Sequence, residues 1–131
     1  LRNYCQEMMD RQGFEEPTGQ AKITPAFNLP CDYVIHTVGP IVQGALTKKH
    51  ERLLRSCYES CLQLAVAHEV KSIAFCCIST GVFHFPNQRA AEIAVHTVEK
   101  FREKSGSDIA VIFNVFKDSD REIYRQLLQL Q

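Results

Sequence analysis

The chain alternates between a hydrophobic pattern typical of helices and one typical of strands. In four segments the apolar residues recur at intervals of three and four, as on one face of a helix. These segments are 1–12, 47–68, 87–104 and 118–128. Thr47 is the kind of residue that caps a helix N-terminus, and we expect 118–120 to cap the last helix in the same way.

Shorter runs rich in β-branched residues lie between the predicted helices and predict strands. They are 21–24, 33–38, 71–78 and 109–116. The run 71–78 is continuously apolar after its first two residues, as a strand covered on both faces is, so we expect it at the centre of a sheet. The alternation predicts an α/β fold with βαβ crossovers. No repeat or linker divides the chain, and we interpret 1–131 as a single domain.

Charge and hydropathy narrow the classes of function. Fifteen Lys and Arg balance fifteen Asp and Glu, and a zero net charge argues against a nucleic-acid partner. No apolar run approaches the ~18 residues that a membrane span needs, and the first residues lack the apolar stretch of a signal peptide. We therefore expect a cytoplasmic protein with no nucleic-acid and no membrane partner.

The six cysteines lie within predicted helices and strands, which favours reduced thiols over a disulfide framework. Cys76 and Cys77 are neighbours in a strand and point to opposite faces, so they cannot easily share a metal ion. Cys57 and Cys61 share a helical face, but nothing nearby completes a tetrahedral site. We expect buried, unpaired thiols.

The loop after the third strand carries the best sign of a binding site. In open α/β sheets, ligands bind beyond the carboxyl ends of the strands. Here Ser79, Thr80 and Gly81 lead through Val82 towards a helix. Hydroxyl groups, a glycine that permits unusual backbone angles, and N–H groups near a helix N-terminus all suit phosphate oxygens. By composition alone this signal is weak, and an ordinary βα turn with a glycine in it is the more common explanation of such residues.

Further candidates stand near the ends of the strands. Phe83 and Phe116 could stack on a ribose or adenine, or could simply pack at the rim of the core. His84 titrates near neutral pH and could contact a phosphate or gate the site, or bond only to backbone. Asn114 is a polar residue in an apolar run, so we expect it to find a hydrogen-bond partner.

The order of these motifs resembles that of macrodomains, which bind ADP-ribose. The loop 78–86 is similar to the macrodomain diphosphate-binding loop. Segments similar to other macrodomain segments follow the family order, at 19–24, 28–30, 33–40 and 111–116. The resemblance implies a three-layer α/β/α fold with a mixed central sheet. It also implies an ADP-ribose site made of Ser79, Thr80, Gly81, Val82, Phe83, His84, Asn114 and Phe116.

The sequence of 77–88 has His84 where many macrodomains carry a small residue, and it resembles that of the microbial zinc-dependent subclass. This resemblance implies a protein-ADP-ribose hydrolase that removes mono-ADP-ribose from modified proteins and uses Zn²⁺. It further implies a sirtuin-type transferase and a lipoylated carrier protein as partners. Two alternatives stay open: an ADP-ribose reader without turnover, and an inert fragment that needs a separate amino-terminal part.

One part of the family pattern does not occur in this sequence. Macrodomains carry an Asn-rich strand end and a glycine-rich loop ahead of the part seen here, and the zinc subclass places its metal ligands there. We therefore expect 1–131 to be the carboxyl-terminal portion of a macrodomain, missing its N-terminal strands, with any zinc ligands upstream of Leu1. We assign no catalytic residue and expect this chain alone to be inactive.

Overall fold

The computed structural model describes residues 1–13, 17–81 and 83–129. Helices and strands alternate along these residues, as the sequence predicts. In chain order they are α1 (Arg2–Gln12), β1 (Ala21–Pro25), β2 (Tyr33–Thr37), α2 (Lys48–Ala67), β3 (Ser72–Phe75), α3 (Asn87–Ser105), β4 (Ala110–Phe113) and α4 (Asp118–Leu128). None of these helices is long and apolar enough to cross a membrane.

The caps of two helices show how the local sequence sets their ends. At the start of α2, the Thr47 side chain accepts a hydrogen bond from the backbone N–H of His50, and the His50 ring accepts one from Thr47 N–H. The predicted Thr47 cap is confirmed. The prediction for α4 was wrong, because Lys117 precedes that helix and no side chain caps it. Asp120 lies within the first turn instead, where its carboxylate accepts a hydrogen bond from the Asn87 amide.

The strands form two separate two-stranded sheets. Strands β1 and β2 pair antiparallel, with Ala21 opposite Thr37 and Pro25 opposite Tyr33. Strands β3 and β4 pair in parallel through the helix α3, which confirms a βαβ crossover. No hydrogen bonds join β2 to β3 in the described part of the chain, so β3 is not the centre of a sheet there, contrary to expectation.

The core lies on one side of both sheets, where α2, α3 and α4 pack. Tyr58, Leu54 and Leu62 of α2 are almost completely buried and meet the alanine-rich face of α3. An aromatic series continues under the second sheet. The Phe75 ring lies 4.9 Å from the Tyr58 ring, and the Phe113 ring stacks on Tyr124 at 4.8 Å. These contacts fix the position of β3 and β4.

The opposite side of the sheets is covered unevenly. Helix α1 lies over the first sheet, where its Cys5 Sγ is 3.8 Å from His36 Nε2. On the same side of the second sheet, alternate residues are exposed: Ser72, Ala74, Ala110 and Ile112. The expectation that this strand pair would be covered on both faces was wrong for the described residues, since none of their helices lies over it.

Candidate functional site

The loop after β3 lies at the carboxyl end of a cleft of about 1670 Å³ between β2 and β3. At that end the cleft is lined by Gly39, Ile78, Ser79 and Phe83. The sequence pointed to Ser79 and Phe83, and both line the cleft. The carboxyl ends of two strands therefore meet at the position where α/β sheets bind ligands.

The two strand ends approach most closely at Gly39. A Cβ atom at this position would lie 2.7 Å from Ile78 Cγ2 and closer still to Ser79 Oγ, so only glycine fits. Sequence reasoning misses this residue, because Gly39-Pro40 indicates only the end of a strand. A glycine directly after a strand that ends at a ligand-binding edge is the signal that could have found it.

Backbone hydrogen bonds hold the loop in one shape. The N–H of Phe85 donates to Ser79 O at 2.8 Å, and the N–H of His84 donates to Gly81 O at 3.1 Å. A third bond, from Val42 N–H to Phe83 O at 2.9 Å, ties the loop to the segment after β2. Phe85 itself is buried in the core. These bonds preorganise the loop before any ligand arrives.

Among the described residues of the loop, Ser79 and His84 adopt left-handed backbone angles, with φ 66° and φ 60°. Such angles cost of order 1–3 kcal/mol and concentrate at ligand-binding positions. We expected Gly81 to need either this freedom or a close approach that a Cβ would obstruct. Its backbone angle is ordinary, so the first alternative was wrong. Apart from its chain neighbours, no described atom lies within 4 Å of the position that a Cβ would occupy, so Gly81 leaves open space beside the loop.

The hydroxyl of Ser79 is buried and has no hydrogen-bond partner among the described residues. Buried hydroxyl groups are rarely left unpaired, so this one lacks a partner that the described residues do not supply. The neighbouring Thr80 hydroxyl is already used, since it donates to Cys77 O at 3.4 Å. The loop then enters α3 after Pro86, and no side chain caps the N-terminus of that helix. Uncapped N–H groups at a helix N-terminus favour anions.

The other predicted site residues do not gather at the cleft. Phe116 is 99% exposed, and the side chain of Asn114 is also exposed, because it continues the alternation of β4 on the exposed face of Ile112. Asn114 therefore needs no side-chain partner, and its backbone N–H donates to Phe75 O. His84 is exposed on the outer side of the loop. Val82 lies outside the described residues.

Burial favours the neutral form of three groups near the cleft: His36, Cys57 and Cys61. Burial lowers the pKa of His36, whose Nε2 lies 3.0 Å from the Thr24 hydroxyl. Burial raises the pKa of Cys61 to about 12 and also raises that of Cys57. All six cysteines are free thiols, but Cys31 and Cys76 are exposed, so the expectation that all were buried was wrong.

Comparison with known sequences gives one family. The Macro domain family model matches residues 1–94. A protein-ADP-ribose hydrolase from Treponema medium is 59% identical over 128 residues, which are 98% of this chain and 49% of that protein. The chain thus spans about half the length of the curated relatives that it matches.

Solved structures of macrodomains are also similar to this chain. The Oceanobacillus iheyensis macrodomain with ADP superposes with a TM-score of 0.87 at 38% identity, covering 97% of this chain and 67% of that one. The Trypanosoma brucei macrodomain in complex with ADP-ribose gives a TM-score of 0.77 at 35% identity, covering 86% of this chain and 46% of that one.

Proposed function

Because this chain belongs to the Macro domain family, we propose that it binds ADP-ribose and forms part of a hydrolase that removes mono-ADP-ribose from modified proteins. The similarity to the Treponema medium hydrolase, over nearly the whole chain, supports the activity. The observation that most supports this position for the binding site is the buried hydroxyl of Ser79 at the end of the cleft, which has no partner among the described residues.

In this proposal the loop holds the diphosphate of ADP-ribose. The Ser79 hydroxyl, the N–H groups of Thr80, Gly81 and Phe83, and the first N–H groups of α3 supply donors, and the dipole of α3 favours the negative charge. Open space beside Gly81 lets the diphosphate approach the backbone. Phe83, which lines the cleft, flanks the distal ribose, and His84 contacts the ligand from outside.

The hydrolysed bond joins the anomeric carbon of the distal ribose to the acceptor side chain. A diphosphate cradle positions this bond but neither polarises it nor directs a water molecule at it. The described residues contain no group of three or more His, Cys, Asp or Glu that could hold a metal ion. Zinc, a sirtuin-type transferase, a lipoylated carrier protein and a cytoplasmic location stay predictions from the subclass resemblance.

The binding site is tested by calorimetry with ADP-ribose. Gly81→Val should weaken binding about 30-fold, or about 2 kcal/mol, because its side chain fills the space where the diphosphate approaches. The unfolding temperature should stay unchanged, since no protein atom lies within 4 Å of the new Cβ. Ser79→Ala should weaken binding about tenfold, while Ser107→Ala at the far end of α3 is the control. Unchanged affinity in Gly81→Val would remove the loop from the site.

A reader without turnover is the second candidate, because solved macrodomains similar to this chain hold ADP or ADP-ribose. The two functions separate in a release assay on a mono-ADP-ribosylated protein, with and without added zinc. We expect this chain to release ADP-ribose at least ~10³-fold more slowly than the Treponema medium hydrolase, because binding alone supplies little catalysis. Comparable rates would place catalytic residues within this chain, with His36, His84 and Asn114 as the first to test.

A further inference from the structure

The first two turns of α2 carry a dense group of basic residues that the site at the loop after β3 does not use. Four of the eight residues from 48 to 55 are Lys or Arg, and Glu51 is the single acidic residue among the eight. All four basic residues are exposed: Lys48, Lys49, Arg52 and Arg55. Along the helix they span about 10 Å. We call these four residues the basic patch.

No acidic side chain pairs with the basic patch in the described part of the chain. Glu51 lies within it, but its carboxylate accepts hydrogen bonds from the guanidinium of Arg89 in α3. None of the four basic side chains forms an ion pair with a described residue. Glu59, one turn beyond Arg55, is where the run of positive charge ends. The charge of the basic patch is therefore directed at solvent.

Part of this charge lies where the helix disfavours it. Lys48 and Lys49 are in the first turn of α2, at the positive end of the helix dipole. Acidic residues stabilise that end of a helix, whereas basic residues stabilise the opposite end. The stability of α2 therefore does not explain why two lysines stand there. A local arrangement that works against stability is expected at positions that serve binding.

The basic patch lies at the same end of the molecule as the loop after β3. Helix α2 follows the segment in which Val42 N–H donates to Phe83 O of that loop at 2.9 Å. In the first turn of α2, Glu51 pairs with Arg89 in the first turn of α3, the helix into which the loop leads. These two contacts hold the start of α2 beside the loop. A macromolecule that presents ADP-ribose to the loop therefore lies next to the basic patch.

We propose that the basic patch docks an acidic surface of the protein that carries the ADP-ribose, so that the substrates are proteins with Asp and Glu around the modified residue. This inference rests on the proposed binding of ADP-ribose at the loop. Complementary charge speeds association and selects partners. A nucleic acid fits less well, because the chain has no net charge and residues 48 to 55 include no Phe, Tyr or Trp on which a base could stack.

The test uses the whole 131-residue chain and two synthetic peptides that each carry one ADP-ribose through a non-hydrolysable link. One peptide has four Glu residues around the modified position, and the other has Gln at the same places. Fluorescence anisotropy measures the affinity of each. In about 0.1 M salt the Glu peptide should bind about tenfold more tightly, because several exposed ion pairs each add a small share. In about 1 M salt the difference should fall below about twofold, because salt screens exposed charges.

A matched pair of double variants locates the effect. Lys49→Gln with Arg52→Gln removes two charges from the basic patch, and Arg102→Gln with Lys104→Gln removes two from the far end of α3. Only the first should reduce the preference for the Glu peptide, to about threefold or less. It should not lower the unfolding temperature, because the helix dipole opposes the charge of Lys49. A preference that persists in the first variant, or that falls equally in both, would overturn the inference.

Free ADP-ribose separates this inference from the proposed binding site. Its affinity should agree within about twofold in the parent chain and both double variants, because it brings no protein surface to the basic patch. Normal binding of free ADP-ribose without a preference for the Glu peptide would overturn the docking surface and leave the binding site standing. No binding of free ADP-ribose would overturn both. Displacement of the Glu peptide by a thymidine oligonucleotide at lower concentration than by the same peptide without ADP-ribose would make the partner a nucleic acid and overturn the acidic protein.

Discussion

The two small sheets differ in what covers them, although each has two strands. The β1–β2 sheet lies between helices, with α1 on one side and α2 on the other. The β3–β4 sheet rests on the aromatic series of Tyr58, Phe75, Phe113 and Tyr124, and its other face is exposed, with Ile112 at 55%. The second sheet is thus fixed from one side only. The loop that we propose as the ligand site follows β3 of this sheet. It begins where Gly39, after β2, approaches Ser79.

The helices on the two sides of the sheets also differ in how many of their residues are buried. Helix α1 has no buried residue, and its contacts with the first sheet are few: Cys5 with His36, and Tyr4 with a half-exposed Phe27. Helix α2, in contrast, buries six residues in the common core. Most of the free energy of unfolding therefore comes from the side of α2, α3 and α4, and the opposite side adds little.

The contact between the two sheets should be the most sensitive point of the fold. Gly39→Ala places a Cβ against Ile78 and Ser79, and overpacking of this kind should cost about 3 kcal/mol. Urea unfolding measures this cost. Gly81→Ala, in open space, is the control and should change stability by less than about 0.5 kcal/mol. The double variant Gly39→Ala with Ser79→Gly should recover part of the loss, and no recovery would mean that the clash lies elsewhere.

The two faces of β4 should respond very differently to truncation. Phe113→Ala removes a ring that stacks on Tyr124 and should destabilise the chain by about 2–3 kcal/mol. Its neighbour Ile112 points to the exposed face, so Ile112→Ala should cost less than about 1 kcal/mol. Both values come from chemical denaturation. Similar losses would show that the exposed face is covered in solution.

Alkaline pH should destabilise the covered side through its buried thiols. Burial raises the pKa of Cys61 from 9.0 to about 12. A raised pKa contributes stability that is complete below pH 9 and is lost as the pH rises towards 12, because only the unfolded chain ionises in that window. By pH 11 the loss should reach about 2 kcal/mol. Under reducing conditions, Cys61→Ala should flatten this pH dependence, and parallel curves for the two proteins would contradict the assignment.

Helix α1 should give the smallest effect. Tyr4→Ala removes its ring contact with Phe27 and should cost less than about 1 kcal/mol, because both rings keep solvent exposure. Amide exchange should be faster in α1 than in α2, whose inner face is buried. Protection of α1 equal to that of α2 would show that the first sheet is held from both sides with equal strength.

Local features of the sequence predicted the elements well. The spacing of apolar residues and the Thr47 cap are properties of neighbouring residues, and α2 begins at Lys48 as they require. The continuous apolar run at β3 correctly indicated a strand, but hydropathy does not record what covers each face of it. Ala74, for example, is apolar and yet exposed, because it lies on the uncovered face of β3.

The candidate site could be predicted only in part, because its geometry joins distant residues. Ser79 and Phe83 followed from the motif and line the cleft. Gly39 contacts Ser79 across forty positions of sequence, which no local pattern reveals. Asn114 follows β4 on the same face as Ile112, and the sequence does not reveal that this face is exposed.

The most direct test of the proposed binding site is a map of ADP-ribose on this chain by backbone amide chemical shifts. The described residues also line a smaller cavity at the end of α3, where Lys100 and Arg102 stand beside Glu99 and Glu103, and its basic side chains make it the competing anion site. We predict that the largest shifts fall on 79–85 and on Gly39, with residues 96–107 unchanged. Shifts centred on His96 and Lys100, with the loop after β3 unaffected, would contradict the proposal.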